Sequence, residues 1–140
     1  MSIRLDFVPE ASPDLRETIL QGVRAFNAML FAEAPKGQDL AIAITDETGA
    51  AVGGLLGRTA GGWLAIELIF VPEPLRGQGL ASRLVAMAEE KARTRGCHAA
   101  WLDTLNPDAR RLYEQLGYAV FGELPDYPAG FTRAFLRKAL

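Results

Sequence analysis

The run Ile69-Phe70-Val71-Pro72-Glu73-Pro74-Leu75-Arg76-Gly77-Gln78-Gly79-Leu80-Ala81-Ser82-Arg83-Leu84 decides how the chain is read. Three apolar residues end at a proline turn, and a glycine-bearing loop follows. A helical pattern opens behind it: Leu80, Leu84 and Ala88 share a face, with Ala81, Val85 and Ala92 beside them. This is a strand, a loop and the start of a helix. Gly77 and Gly79 lack a Cβ, so the backbone can turn sharply and approach a ligand. The first amides of a helix have no partner inside it, and the helix dipole makes that end positive, which suits a phosphate or diphosphate. The bland alternative is a glycine loop that only starts a buried helix.

Two familiar phosphate loops do not fit. The P-loop needs Lys followed by Ser or Thr at the helix start, and no lysine stands here. The dinucleotide fingerprint needs three spaced glycines near the start of a βαβ unit, whereas Gly77 and Gly79 stand mid-chain.

With 140 residues and nearly half of them apolar, the chain suits a single globular domain, residues 1–140. No apolar run approaches a membrane span, and the first residues lack the apolar stretch of a signal peptide, so a cytoplasmic protein with no membrane partner is expected. A net charge of −2 argues against a nucleic-acid partner. The single cysteine, Cys97, excludes an intrachain disulfide and a CxxC site, and no metal is expected.

Going along the chain, Ile3, Leu5 and Phe7 alternate with polar residues like a half-buried strand. Ser12-Pro13 starts a helix whose stripe Leu15, Ile19, Val23, Phe26 and Leu30 runs to about residue 31. Asn27 sits beside that stripe, as a solvated helix residue or a substrate contact. Residues 32–39 read as a loop or short helix. Strands are expected over Leu40–Thr45, Ala50–Arg58 and Trp63–Val71, joined by turns at 46–49 and 61–62. The third is nearly continuously apolar, as in a central strand covered on both faces. The helix behind the loop runs to about Arg95, and Gly96 closes it. Cys97–Asp103 reads as a buried strand, Asn106-Pro107 as another helix start, Tyr118–Glu123 and Phe131–Lys138 as the last strands.

Two motifs bring a family into view. Arg76-x-x-Gly79-x-Ala81 resembles the [Gln/Arg]-x-x-Gly-x-[Gly/Ala] loop of the GNAT superfamily, the GCN5-related N-acetyltransferases. Asn106-x-x-Ala109-x-x-Leu112-Tyr113-Glu114-x-Leu116-Gly117-Tyr118 resembles a second segment of the same enzymes, one helix and one strand further on. Phe121–Pro128 looks like a bacterial subgroup of unassigned substrate. The resemblance implies an α/β GNAT fold: a mixed, mostly antiparallel sheet of six to seven strands with helices on both faces, splayed between the Trp63–Val71 and Cys97–Asp103 strands.

It also implies an acetyl-CoA-dependent transferase whose acceptor is the amine of a small molecule or peptide, and it allows a homodimer. Amides of Gly77, Gln78, Gly79, Leu80, Ala81 and Ser82 would hold the diphosphate, with charge from Arg76. Backbone groups of Ile69, Phe70 and Val71 would pair with the pantetheine arm like an added strand, and an N–H of Phe70 or Val71 would face the developing oxyanion. Asn106 would contact the arm or simply cap its helix. Tyr113 stands where the family keeps its general acid; a phenol pKa of ~10, near the ~8.5 of an ordinary thiol, lets tyrosine protonate a departing thiolate without being ionised in the resting enzyme. Its alternative is a core tyrosine. Glu67, the lone carboxylate of an apolar strand, is the candidate base if burial raises its pKa. Asp103 and a water chain are the rivals, and either carboxylate could instead hold the substrate's ammonium. Tyr127, with Asp126, lines the acceptor site or merely forms a surface turn. Cys97 and His98, adjacent on a strand, would face opposite ways and form no dyad. A catalytically silent acyl-CoA sensor on the same fold is the competing function.

Overall fold

The computed structural model describes residues 2–31 and 37–140, which divide into two units, one up to Ala34 and one from Pro35 onward. In the first unit, α1 (Pro13–Ala28) is the only regular element among the described residues. The Ser12 hydroxyl accepts from the Leu15 amide at 3.0 Å, and Pro13 fills the first turn, where its missing N–H costs nothing. The expected strand at Ile3–Phe7 does not form, and Leu5 is 95% exposed. Alternation alone makes no strand where no neighbouring strand supplies hydrogen bonds. Of the expected loop over 32–39, residues 32–36 lie outside the described residues, and Gln38 and Asp39 belong to the next strand.

The second unit is a six-stranded sheet. Its strands are β1 (Gln38–Thr45), β2 (Ala51–Ala60), β3 (Trp63–Phe70), β4 (Ala99–Thr104), β5 (Ala119–Leu124) and β6 (Arg133–Ala139), in spatial order β1-β2-β3-β4-β6-β5. Two helices belong to it, α2 (Leu80–Thr94) and α3 (Pro107–Gln115). Every strand pair is antiparallel except β3 with β4. In the β1–β2 turn the Asp46 carboxylate accepts from the Thr48 and Ala50 amides, and Gly49 takes φ +86°, as hairpin chemistry requires. The glycines of β2 serve close approach: a Cβ on Gly54 would strike the Ile42 carbonyl, and one on Gly57 the Ala65 carbonyl.

The core lies on one face of this sheet. Leu40, Leu55, Leu64, Ile66, Ala100, Leu102, Ala134 and Leu136 meet Leu84, Val85, Ala88 and Ala92 of α2, and Tyr113 and Leu116 of α3 pack against the same cluster. The stripe read from the sequence is therefore the buried stripe of α2. Gly96, at φ +83°, ends that helix, and the Cys97 amide bonds back to the Ala92 carbonyl at 2.9 Å. This capping turn delays β4 to Ala99 and leaves Cys97 as a small buried side chain ahead of the strand. His98 bridges instead: its amide donates to Gly62, and its carbonyl accepts from Leu140.

β3 is covered less than its apolar run suggests. Leu64 and Ile66 are buried, but Leu68 is 65% and Phe70 56% exposed. No helix of the described residues is long and apolar enough to cross a membrane.

Leu136 is fully buried opposite Leu102 and Val120. Leu136→Ala should lower unfolding free energy by about 2–5 kcal/mol, read from urea denaturation.

Candidate active site

The site forms where β3 and β4 part. Their parallel ladder holds three residue pairs, Trp63–Ala99, Leu64–Ala100 and Ala65–Trp101. Beyond Ala65, β3 stays on β2 up to Phe70, while β4 stays on β6 up to Thr104. The register on β2 slips between Leu56 and Gly57, which face Leu68 and Ile66, so Glu67 is an unpaired bulge residue. The backbone edge of β3 from Ile66 to Phe70 is left without a partner strand on the β4 side. That is the expected splay, at the expected strands.

Past β3, a 3-10 turn at Glu73–Leu75 leads to Gly77 and Gly79, with φ of +80° and +75°. Both conformations favour glycine, and a Cβ at either would meet nothing within 4 Å. Gly79 caps α2 without a side chain, so the first-turn amides receive no side-chain oxygen. The pocket over the loop holds about 280 Å³ and is lined by Val71, Arg76, Gly77, Gly79, Ser82 and Leu112 of α3 among others. Its size, open glycines and uncapped amides suit a diphosphate. Arg76 has a further role: its Nε donates to the Val71 carbonyl at 2.9 Å and ties the loop to the end of β3.

Asn106 caps α3. Its Oδ1 accepts from the amides of Asp108 at 2.9 Å and Ala109 at 3.4 Å. Asn106 also lines a separate cavity of about 290 Å³ with Thr104, Pro107, Arg110, Phe131 and Thr132. Tyr113 is half-buried, one residue from Leu112 at the loop cavity. Burial pushes its phenol above the ordinary tyrosine value. Its ring meets Tyr118 edge-on, with centroids 6.2 Å apart.

The carboxylates stand differently from expectation. Glu67 is exposed rather than buried as expected, because the bulge takes it out of the buried alternation. Asp103 is already paired: Arg133 donates to its Oδ2 at 2.5 Å, and both side chains are about two-thirds or more covered. The same guanidinium lies 4.6 Å from the Tyr127 ring. Asp126 accepts from the Gly130 amide within the turn before β6. Asn27 belongs to α1, where its carbonyl accepts from Leu30 and Phe31.

Two features escaped sequence reasoning. Arg133 gave no signal, because its partner is 30 residues away. Glu89 did: it falls inside the apolar stripe of α2, between Val85 and Ala92, and is 5% exposed. It is bonded to Tyr118 and Lys138.

A strand edge left free by a splay lies beside a glycine loop at a helix start, as the resemblance implied. Residues 6–118 match the acetyltransferase (GNAT) family, and the chain belongs to that family. It is an acetyltransferase whose donor is acetyl-CoA. It is 44% identical to an acetyltransferase of Agrobacterium fabrum over 91% of this chain and 93% of that protein. It is 40% identical to the blasticidin-S acetyltransferase of Streptomyces morookaense over 67% of this chain and 70% of that protein. A crystal structure from Agrobacterium tumefaciens, assigned as an acetyltransferase, superimposes with a TM-score of 0.91, covers both chains fully and shares 42% of residues.

Because both oxygen-to-amide contacts of Asn106 hold the front of α3, Asn106→Ala should cost about 1 kcal/mol of stability by urea denaturation, with Asn106→Asp close to wild type.

Proposed function

We propose that the chain is an N-acetyltransferase, with residues 1–140 as one domain, moving the acetyl group of acetyl-CoA directly to a primary amine of a small molecule or peptide. The family match spans residues 6–118 and so crosses the boundary between the two units, which supports a single functional domain. The observation that carries the reading is the unpaired edge of β3 ending at an open glycine cradle.

Bound acetyl-CoA supplies an activated thioester. Amides from Gly77 to Ser82 hold its diphosphate, and the free edge at Ile69, Phe70 and Val71 aligns its arm as an added strand. The Val71 carbonyl already accepts from Arg76, so Ile69 and Phe70 carry most of that alignment. The Phe70 or Val71 N–H faces the carbonyl oxygen as it gains charge. As the nitrogen–carbon bond forms and the carbon–sulfur bond breaks, Tyr113 gives its phenolic proton to the departing thiolate and regains one from solvent. Asn106 caps α3 and leaves its amide NH₂ free to donate to the arm.

For the acceptor, Glu67 is exposed at the mouth of the splay and has no ion-pair partner among the described residues. It is the group that attracts the ammonium, and the attacking amine gives its proton to Glu67 or to water. Asp103 is already held by Arg133, and with Tyr127 it contributes to substrate contact rather than proton transfer.

The test is thiol release from acetyl-CoA with a panel: blasticidin S, spermidine, a free amino acid and a peptide with a free N-terminus. Turnover with one amine supports the reading; binding of acetyl-CoA with no release on any amine would make the protein a sensor. Tyr113→Phe should lower kcat roughly a hundredfold or more and leave KM for acetyl-CoA nearly unchanged. Since burial raises this phenol, the alkaline fall in kcat should lie above the ordinary phenol range of ~10 and should vanish in that variant. Gly79→Trp, which places a side chain in open space at a positive φ, should abolish acetyl-CoA binding by calorimetry, with circular dichroism checking that the fold is kept.

A further inference from the structure

Glu89 is a buried carboxylate with both oxygens bonded. Oε2 accepts from the Tyr118 hydroxyl at 2.8 Å, and Oε1 accepts from Lys138 Nζ at 2.9 Å. Burying a charge is costly even when it is paired, and well-packed apolar residues would hold such a spot at least as firmly. The cluster therefore calls for a role besides stability. Its members come from three elements: α2, the turn after α3, and β6. Gly117, at φ +99°, makes room for it, since a Cβ there would press on Lys138 Cε at 3.3 Å.

Tyr118 is tied to Tyr113 twice. Its amide donates to the Tyr113 carbonyl at 3.0 Å, closing α3, and its ring sits edge-on to the Tyr113 ring. Its hydroxyl reaches the other way, to α2. Glu89 stands roughly 14 Å along α2 from Leu80, where the glycine cradle lies, and a helix is stiff over that length.

We propose that Tyr118 is a positioning residue for acetyl transfer: anchored by Glu89 on α2 and packed against Tyr113, it fixes the phenol of Tyr113 relative to the diphosphate cradle at the front of the same helix. The inference rests on Tyr113 acting as the general acid. Tyr118→Phe removes one hydroxyl and leaves Glu89 paired with Lys138, so the fold survives. Small misplacements of a reacting group are expensive in rate.

The experiment uses the full chain, acetyl-CoA and whichever panel amine gives the fastest thiol release. Tyr118→Phe should lower kcat roughly tenfold and leave KM for acetyl-CoA within about twofold. In a Tyr113→Phe background it should cause no further loss, because it acts through that phenol. Wild-type kcat in Tyr118→Phe, the same loss in both backgrounds, or a fall in melting temperature alone would overturn the proposal. If Tyr113→Phe itself turns over normally, the acid assignment fails and this role fails with it; if only Tyr118→Phe is normal, the acid assignment stands and the positioning role falls.

Discussion

A parallel pairing that stops after three rungs is the constraint from which the site follows. β3 is held by β2 along its length, and β4 is held by β6 along its length. Each strand obeys its antiparallel neighbour, and the shared ladder gives way. Antiparallel pairing is the more favourable per residue, so the weaker joint is the one that opens. The extra residue at Glu67 increases local bend and twist at the same place. A strand edge exposed in mid-sheet is normally a liability, since its N–H and C=O groups seek another strand. Under the proposed function an extended acyl carrier would take that place, turning a defect of pairing into a binding surface.

Helix α2 links this opening to the core. Its uncapped front faces the glycine loop, and its stripe of Leu84, Val85, Ala88 and Ala92 is fully buried against the sheet. The proposed diphosphate cradle would therefore be built on a rigid element rather than on a free loop. The side of the opening that carries the proposed acid, Tyr113, belongs to α3, which is shorter and buries no residue fully. That contrast explains why α3 carries so much auxiliary fixing: the Asn106 cap at its front, and the Tyr118 turn with the Glu89 bond at its end.

Much of this could be read from the residues because the signals were local. The glycine loop, the Ser12 and Asn106 caps, the Gly96 stop and the stripe of α2 all depend on neighbours within one or two turns. The splay between β3 and β4 came from family resemblance rather than from any spacing in the chain. What the sequence hid was non-local. Alternation at Ile3, Leu5 and Phe7 looked like a strand, but a strand needs a partner that alternation does not name. Glu67 looked buried because period two was assumed through a bulge, and a bulge leaves no clear mark in an apolar run. The Asp103–Arg133 pair joins β4 to β6 across the sheet, so neither residue announces the other.

The bond from Arg76 Nε to the Val71 carbonyl has a bearing on how the enzyme cycles. It spans the bend between strand and loop, so the segment proposed to grip phosphates and the segment proposed to lie along the carrier are latched to one another by the chain itself. Under the proposed function, entry and departure of the carrier would then not need to reorder the bend, and the entropy of assembling it would be met during folding rather than at each turnover.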